Sequence, residues 1–526
     1  MTKIDSAFRN PRSAILPLLF AAVVVFIHFY GLTIPLLGPD EPRYSQVARE
    51  MFERGDWITP TLGGFHWFEK PALLYWLQIA AYKLFGVNEF AARFGSVLFG
   101  FGTTASLWIL GRNISEKKER HKDNGFSRWL ALLAASSIGI IVFSRGASFD
   151  IILTFPMTAA LVSFYIFDSW EQRHTAAGDS DRLRRRYAPL FSFYFFIGVA
   201  LLAKGLIGIV FPFAIVGFYC LLSRRFPSRF FILSLIWGII ISASVAAMWY
   251  LPMYQRYGWE FIDEFFIQHH FQRYTSNKYF HPQPFYFFFW VLPLMTIPWL
   301  PFFLGGIWQS VKSAFIRGDA ETRREEERSD VISGSIHEIT SLHQFTAAWL
   351  LVPIVFFSFS GSKLPGYILP ALPPAMILAA VYVTRFVNKS ELRSRMILGI
   401  ALATFVVVAA LLSWVVPRFA EGDSVKGLVA AANESGYRSE NILTLHTISH
   451  NAEFYAAGRL LRDAAGRQRR LLGPTEVLDE IRKNNGEPAL VLIPVEYLRH
   501  LTDSPLMKSN VLKDNGELAI VYVEAK

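Results

Sequence analysis

Eleven apolar runs punctuate the chain, near 14–34, 94–110, 129–143, 151–167, 190–203, 205–222, 231–249, 285–308, 345–359, 367–384 and 397–416. Polar and charged residues cluster between them, and long stretches carry no charge. This pattern predicts helices crossing a hydrocarbon layer, which takes about 20 residues at 1.5 Å per residue. Several runs are shorter and need their flanks or a thinned bilayer. A twelfth run, 72–86, contains Gln78, Tyr82 and Lys83 and fits an amphipathic helix lying at the interface better than a span. From about Arg418 the pattern becomes that of a soluble chain. Short strands are expected at 441–446, 489–494 and 517–524, and helices at 452–465 and 475–483. The fold expected is a polytopic α-helical membrane domain over 1–417 followed by a small α/β domain over 418–526.

Basic residues orient this arrangement. Lys3, Arg9 and Arg12 precede a first run too long for the core of a signal peptide, so it reads as a retained span with a cytoplasmic N-terminus. If 72–86 does not cross, Lys117, Lys118, Arg184, Arg185, Arg186, Arg224, Arg225, Arg393 and Arg395 all fall on the N-terminal side. If it crosses, these clusters fall outside. The first arrangement is better, although the 309–343 linker carries Glu325, Glu326 and Glu327. It leaves an interfacial segment over 38–90, an outer loop over 250–284 and the α/β tail on the outer face.

Composition agrees: 52% of residues are hydrophobic and 18% charged, against about 25% charged in soluble chains. The net charge of +10 is absorbed by topology, so it does not point to nucleic acid. The one cysteine, Cys220, lies in an apolar run and forms no internal disulfide. No repeat, P-loop or protein-partner motif is present.

The outer loops hold charge that topology does not explain. Asp40 and Glu41 stand two residues before Arg43 and Tyr44 at the end of the first run. Glu69 and Lys70 adjoin Trp67 and Trp76. Asp150 follows Arg145 in a very short turn, and Lys204 sits beside Gly205 between two spans. The 250–284 loop brings Glu260, Asp263, Glu264, His269, His270, Arg273 and Lys278, and Lys363 and Tyr367 lie between two late spans. Asp40 is a candidate general base or a cap of a helix over 43–54. Asp150 is a functional carboxylate or the cap of its span. Carboxylates suit activation of a nucleophile, and lysines and arginines suit a phosphate leaving group. Aromatic and apolar surfaces suit sugar rings and a lipid tail. The reaction class implied is sugar transfer from a lipid phosphate to an acceptor on the outer surface. A lipid or glycolipid transporter is the alternative class, but its sites cluster near the midplane on repeated, broken helices.

Asp40-Glu41-Pro42-Arg43-Tyr44, Glu69-Lys70-Pro71, Arg145 to Asp150, Lys204-Gly205, His269 to Arg273 and Ser362-Lys363-Leu364-Pro365-Gly366-Tyr367 occur in this order. In these motifs the chain resembles the GT-C class of polyprenyl-phosphate-dependent glycosyltransferases. Within it, the likeness is to the bacterial branch of the protein O-mannosyltransferase superfamily that includes the lipid A 4-amino-4-deoxy-L-arabinose transferases. The resemblance implies an inverting transferase with Asp40, Asp150 and Arg43 in catalysis. Tyr44, Lys70, Lys204, Arg273, Lys363 and Tyr367 would bind the carrier phosphate or substrate. Glu69 with His269 or His270 would be a divalent metal position. The donor would be an undecaprenyl-phosphate-linked sugar and the acceptor a lipid A phosphate. Mannose or galacturonate, and another glycan or a protein, are the alternative sugars and acceptors.

Overall fold

The computed structural model describes residues 11–115, 125–172, 181–272, 282–321 and 330–526. Lys3, Arg9, Lys117, Lys118, Arg273, Tyr274, Lys278, Glu325, Glu326 and Glu327 lie outside them, as do the side chains of Arg12, Arg184, Arg185, Arg186 and His270. Among the described residues, seven helices are long and apolar enough to cross a membrane: Glu89–Ile114, Phe149–Glu171, Tyr187–Lys204, Arg229–His269, Thr340–Ser358, Pro365–Val387 and Glu391–Asp423. Two bent helix pairs pass the same test of length and apolarity together, Phe126–Ala135 with Ile138–Ser144 at 55° and Phe287–Met295 with Leu300–Lys312 at 117°. The shorter apolar helices Leu19–Phe29 and Ile207–Leu222 occupy the two remaining runs. Each of the eleven apolar runs is therefore helical, and the chain is a multi-pass membrane protein.

The breaks have local causes. In the first pair Ser137 is extended, and the Ser136 hydroxyl donates to Leu132 O at 2.6 Å while accepting from Trp299 Nε1 at 3.0 Å. In the second pair Pro298 follows the last turn and has no N–H to continue it. The helix from Arg229 runs on to Ile262, past the expected loop boundary at 250, and continues as wider turns through Asp263–Gln272. Gly258, at φ 53° and ψ −126°, kinks it beyond the apolar stretch.

The chain packs as two compact units, one formed by 1–29, 69–74 and 96–407, the other by 30–68, 75–95 and 408–526. The packing thus groups most of the outer segment 38–90 with the C-terminal domain, whereas the sequence division assigned it to the membrane domain. In the first unit, Phe149–Glu171 is buried over most of its length. Close helix approach depends on glycine. A Cβ on Gly208 would overlap the Ala200 backbone, and one on Gly238 would overlap the Tyr194 ring.

In the second unit a five-stranded sheet has the order Arg470–Leu471, Ile442–Leu445, Ala489–Pro494, Leu518–Ala525, Met507–Asp514. The first three strands are parallel and the last two pairings antiparallel. Side chains alternate across it with the period of two. Leu443, Leu445, Val491, Ile493, Val521 and Val523 pack with Val477, Leu478 and Ile481 of the Pro474–Lys483 helix. Ile442, Leu490, Leu492 and Ile520 pack with Val425, Leu428 and Val429. Three strands were expected. The two missed are a two-residue strand and an edge strand whose residues are largely exposed. The expected helix 452–465 is only Ala452–Tyr455, because Ala457 and Gly458 both take positive φ and turn the chain toward the sheet.

The Leu73–Phe85 helix has 13 residues, about 20 Å, and does not reach across a bilayer. Of the three polar residues noted in its sequence, Gln78 and Tyr82 face inward and Lys83 is exposed. Gln78 Nε2 donates to Ala92 O at 3.1 Å and the Tyr82 hydroxyl to Ser45 O at 3.1 Å, both buried. Burial drives the Tyr82 phenol well above its ordinary range, so it remains a donor.

Gly208→Ala is expected to cost about 1–3 kcal/mol through overpacking. Gly217→Ala in the same helix meets nothing within 4 Å and is expected to be neutral. Thermal unfolding of the two purified variants in detergent checks this; equal melting temperatures would remove the close approach as a determinant of stability.

Candidate functional site

In the first unit the site is built around the start of the Phe149–Glu171 helix. The Ser148 hydroxyl oxygen accepts the Asp150 N–H at 3.1 Å and so caps the helix. Asp150 is thereby not the cap, and its carboxylate is turned to other partners. Oδ2 accepts from the Ser148 hydroxyl at 3.2 Å, and Oδ1 forms an ion pair with Lys204 Nζ. Lys204 is the last residue of its helix, which ends where Gly205 adopts φ +69°. Its ammonium lies 4.9 Å from the centroid of the Tyr367 ring, a cation–π distance. Only 14% of the Lys204 and 18% of the Asp150 side chain are exposed, so the pair is weakly screened and each partner depends on the other. A Cβ at Gly366 would overlap Asp150 Oδ2, so any larger residue there has to displace the carboxylate.

Two further cations of this unit are held differently. Lys363 is buried and donates to Ser360 O at 2.7 Å and Gln283 O at 3.0 Å. Burial lowers its pKa. Lys70 pairs with Glu69 at 2.9 Å, each side chain 12% exposed. His269 Nε2 stands 4.0 Å from Glu264 Oε1, beyond hydrogen-bond length. Among the described residues no group of three or more His, Cys, Asp or Glu side chains is placed to hold a metal ion. The described donors around Glu69 and His269 therefore do not make a metal centre. His270 as a ligand, and Arg273 as a phosphate contact, fall outside the described side chains.

In the second unit Asp40 opens the Asp40–Arg54 helix, with Pro39 at the capping position and no side-chain capping bond. The capping reading of Asp40 is thus not what the structure has. Its Oδ1 accepts from Arg43 Nη2 at 2.6 Å, while Arg43 Nε donates to Pro39 O at 2.9 Å. Asp40 is 46% exposed. The Arg43 guanidinium also lies 5.9 Å from the Trp67 ring centroid. Tyr44 is buried against the helix's inner face.

Sequence reasoning missed the group that holds this corner. Arg93 grips Glu41 through Nε and Nη2 at 3.0 and 2.7 Å and donates to the carbonyls of Leu32, Ile34 and Pro35. Glu41 in turn accepts the Leu37 N–H at 2.9 Å. The signal was present: Arg93 immediately precedes an apolar run, where a charge needs a partner. Ser148 and Gly366 were also passed over as site residues, although both flank charges that were singled out.

Comparison with known proteins comes to the same fold. Residues 15–267 match the family described as dolichyl-phosphate-mannose-protein mannosyltransferase. The undecaprenyl phosphate-alpha-4-amino-4-deoxy-L-arabinose arabinosyl transferase of Serratia proteamaculans is 30% identical over 372 residues, 70% of this chain and 59% of that protein. The protein of the same name from Aeromonas salmonicida is 29% identical over 371 residues, with 69% and 59% covered. The match thus spans less than two thirds of these relatives' length. Among solved structures, ArnT from Cupriavidus metallidurans bound to undecaprenyl phosphate superposes with a TM-score of 0.74 at 22% identity, over 96% of this chain and 98% of that one. The archaeal oligosaccharyltransferase AglB from Archaeoglobus fulgidus superposes at 0.53 and 14% identity, with 91% and 69% covered.

Gly366→Ala is expected to push the Asp150 carboxylate aside and part it from Lys204. Acylation of surface amines followed by mass spectrometry reads this directly, with Lys204 protected in the unaltered protein and labelled faster in the variant. Equal labelling would mean that Gly366 does not maintain the pair.

Proposed function

We propose that this chain, a multi-pass membrane protein with the GT-C fold and the likeness just described, is an inverting glycosyltransferase. It moves 4-amino-4-deoxy-L-arabinose from undecaprenyl phosphate to a phosphate of lipid A. The observation that carries this reading is the Asp150–Lys204–Tyr367 cluster, a cation held at the end of a helix with glycine on both strands of approach. The names of the curated relatives and the carrier bound by the structural neighbour support the donor.

In this reading the acceptor oxygen attacks the anomeric carbon as the bond from that carbon to the carrier phosphate breaks, and the carrier phosphate leaves with the electron pair. Lys204 stabilises the charge that grows on the leaving phosphate. Asp150 and the Tyr367 face keep the ammonium in place without consuming all three of its donors. An acceptor phosphate is already ionised, so it needs no proton removed. Asp40, half-exposed and with one oxygen paired with Arg43, orients the acceptor or the cationic aminosugar, and Arg43 offers the acceptor phosphate a counter-charge. Tyr44 supports the Asp40 helix from its buried side, and Lys70, paired with Glu69, is a further cation for the substrate. Lys363, held by two carbonyls, acts by fixing its loop. The reaction takes place on the periplasmic face of the inner membrane, with the C-terminal domain on that side.

Asp40→Asn and Asp150→Asn are expected to lower transfer by about 100-fold or more while insertion is retained. Assay of the purified variants with undecaprenyl-phosphate aminoarabinose and lipid A, read by mass spectrometry, checks this. Wild-type turnover in Asp40→Asn would remove Asp40 from the mechanism, and absence of aminopentose transfer by the active unaltered protein would shift the proposal to another sugar or acceptor. For topology, a cysteine at 118 is expected to label only in opened cells and one at 500 in intact spheroplasts. Labelling of 118 from outside would overturn the orientation.

A further inference from the structure

The C-terminal domain has no motif of its own, yet within its unit it touches the segment that carries Asp40. The Tyr455 hydroxyl accepts the Leu36 N–H at 2.9 Å and donates to Glu89 Oε1 at 3.0 Å. Lys426 of the same domain pairs with that Glu89 oxygen at 2.6 Å. The neighbouring chain follows suit: Arg49 of the Asp40–Arg54 helix donates to Phe454 O at 3.5 Å and lies 6.0 Å from the Phe454 ring centroid. A second seam lies at the Thr61–Leu62 and Phe65–His66 hairpin. There a Cβ on Gly63 would overlap the Arg462 guanidinium and one on Gly466 the Phe65 ring.

The segment 32–37 is therefore held from two directions. Arg93 takes the carbonyls of Leu32, Ile34 and Pro35, and Glu41 takes the Leu37 N–H. The Leu36 N–H has no carbonyl from this set and goes to Tyr455 instead. Three residues beyond Leu37 the chain reaches Asp40, and the Leu37 N–H is tied to Glu41, the next residue of the same helix turn, so a shift at Leu36 acts on the turn that carries the carboxylate.

We infer that Tyr455 is a positioning residue, a single phenol through which the C-terminal domain sets the 32–41 segment and with it the Asp40 carboxylate. This rests on the reading of Asp40 given above. Burial and the adjacent Glu89 carboxylate drive the phenol far above its ordinary range. It therefore keeps its proton at any working pH, and the bridge from Leu36 to Glu89 stays intact.

Tyr455→Phe keeps the ring and removes the bridge. It is expected to lower kcat by about tenfold or more, since small displacements of a reacting group are costly in rate, with KM for undecaprenyl-phosphate aminoarabinose within about twofold and a normal melting temperature. Glu89→Ala should behave in the same way, whereas Glu89→Gln, which still offers an oxygen to the phenol, should keep most of the activity. Lys426→Met, which leaves the phenol bridge whole, should be close to wild type. The Glu89 pair gives the same reading if Tyr455→Phe does not insert. Unchanged kcat in Tyr455→Phe and in Glu89→Ala, or loss of kcat only in step with loss of melting temperature, would overturn the inference. Asp40→Asn run beside them separates the two readings. Full turnover in Asp40→Asn defeats the reading of Asp40 and the inference resting on it, while an inactive Asp40→Asn with wild-type Tyr455→Phe defeats the positioning role alone.

Discussion

Hydrocarbon cannot solvate a charge, and that constraint organises this structure. A carboxylate or ammonium near the membrane must be paired within the protein or neutralised, because the cost of an uncompensated buried charge exceeds the strength of most single interactions. The chain meets the constraint with short-range pairs whose members come from separate elements. Asp150 and Lys204 stand 54 residues apart, and Arg93 and Glu41 stand 52 apart. Each pair fixes two helix ends at once. The two pairs differ in how fully they are used: all five N–H donors of Arg93 are engaged within the fold, whereas Lys204 pairs with one carboxylate oxygen and faces a ring.

The same constraint explains the inward-facing polar residues of the Leu73–Phe85 helix. Gln78 and Tyr82 are bound by Ala92 and Ser45, so their polar atoms are satisfied without water. The helix then exposes Lys83, Leu84 and Phe85 at its end, with the cationic head able to reach polar surroundings while its stem lies on apolar surface. Polarity in a sequence says that a partner is needed but not on which side it stands. In a soluble protein the partner is usually solvent. In this one it is more often another helix.

That ambiguity sets what could be read from the residues alone. The apolar runs were legible because a stretch without charge has few structural explanations at lengths near 20 residues, and all eleven are helical. Short elements were not: Arg470–Leu471 is two residues long, and helix 452–455 ends at a pair of positive-φ residues that no periodicity announces. At the candidate site, Asp40, Arg43, Asp150, Lys204 and Tyr367 were visible as unexplained outer charges and an adjacent phenol, and the structure brings them into two pairs and a ring contact. Their supporting residues were not visible, because Arg93, Ser148 and Gly366 act through contacts with residues distant in sequence or through the absence of a side chain. Lys363 shows the converse. Its motif attracted attention as a cation, yet the structure uses it to tie two carbonyls.

Under the proposed function, the identity of the cation at position 204 follows from what it would have to do. An arginine would fill a planar fork with fixed partners, well suited to a permanent bidentate pair, as Arg93 does with Glu41. A lysine presents three donors around a point charge and can turn among acceptors. Asp150 has a second donor in the Ser148 hydroxyl, so its carboxylate is not abandoned when the ammonium shifts toward a phosphate. Tyr367 offers the ammonium a face rather than an acceptor, which limits where it can go without binding it in a fixed direction. Gly366 removes the bulk that would crowd the carboxylate. The fixed fork thus stands where the fold must not move, and under the proposed function the mobile point charge stands where the carrier phosphate would arrive and leave.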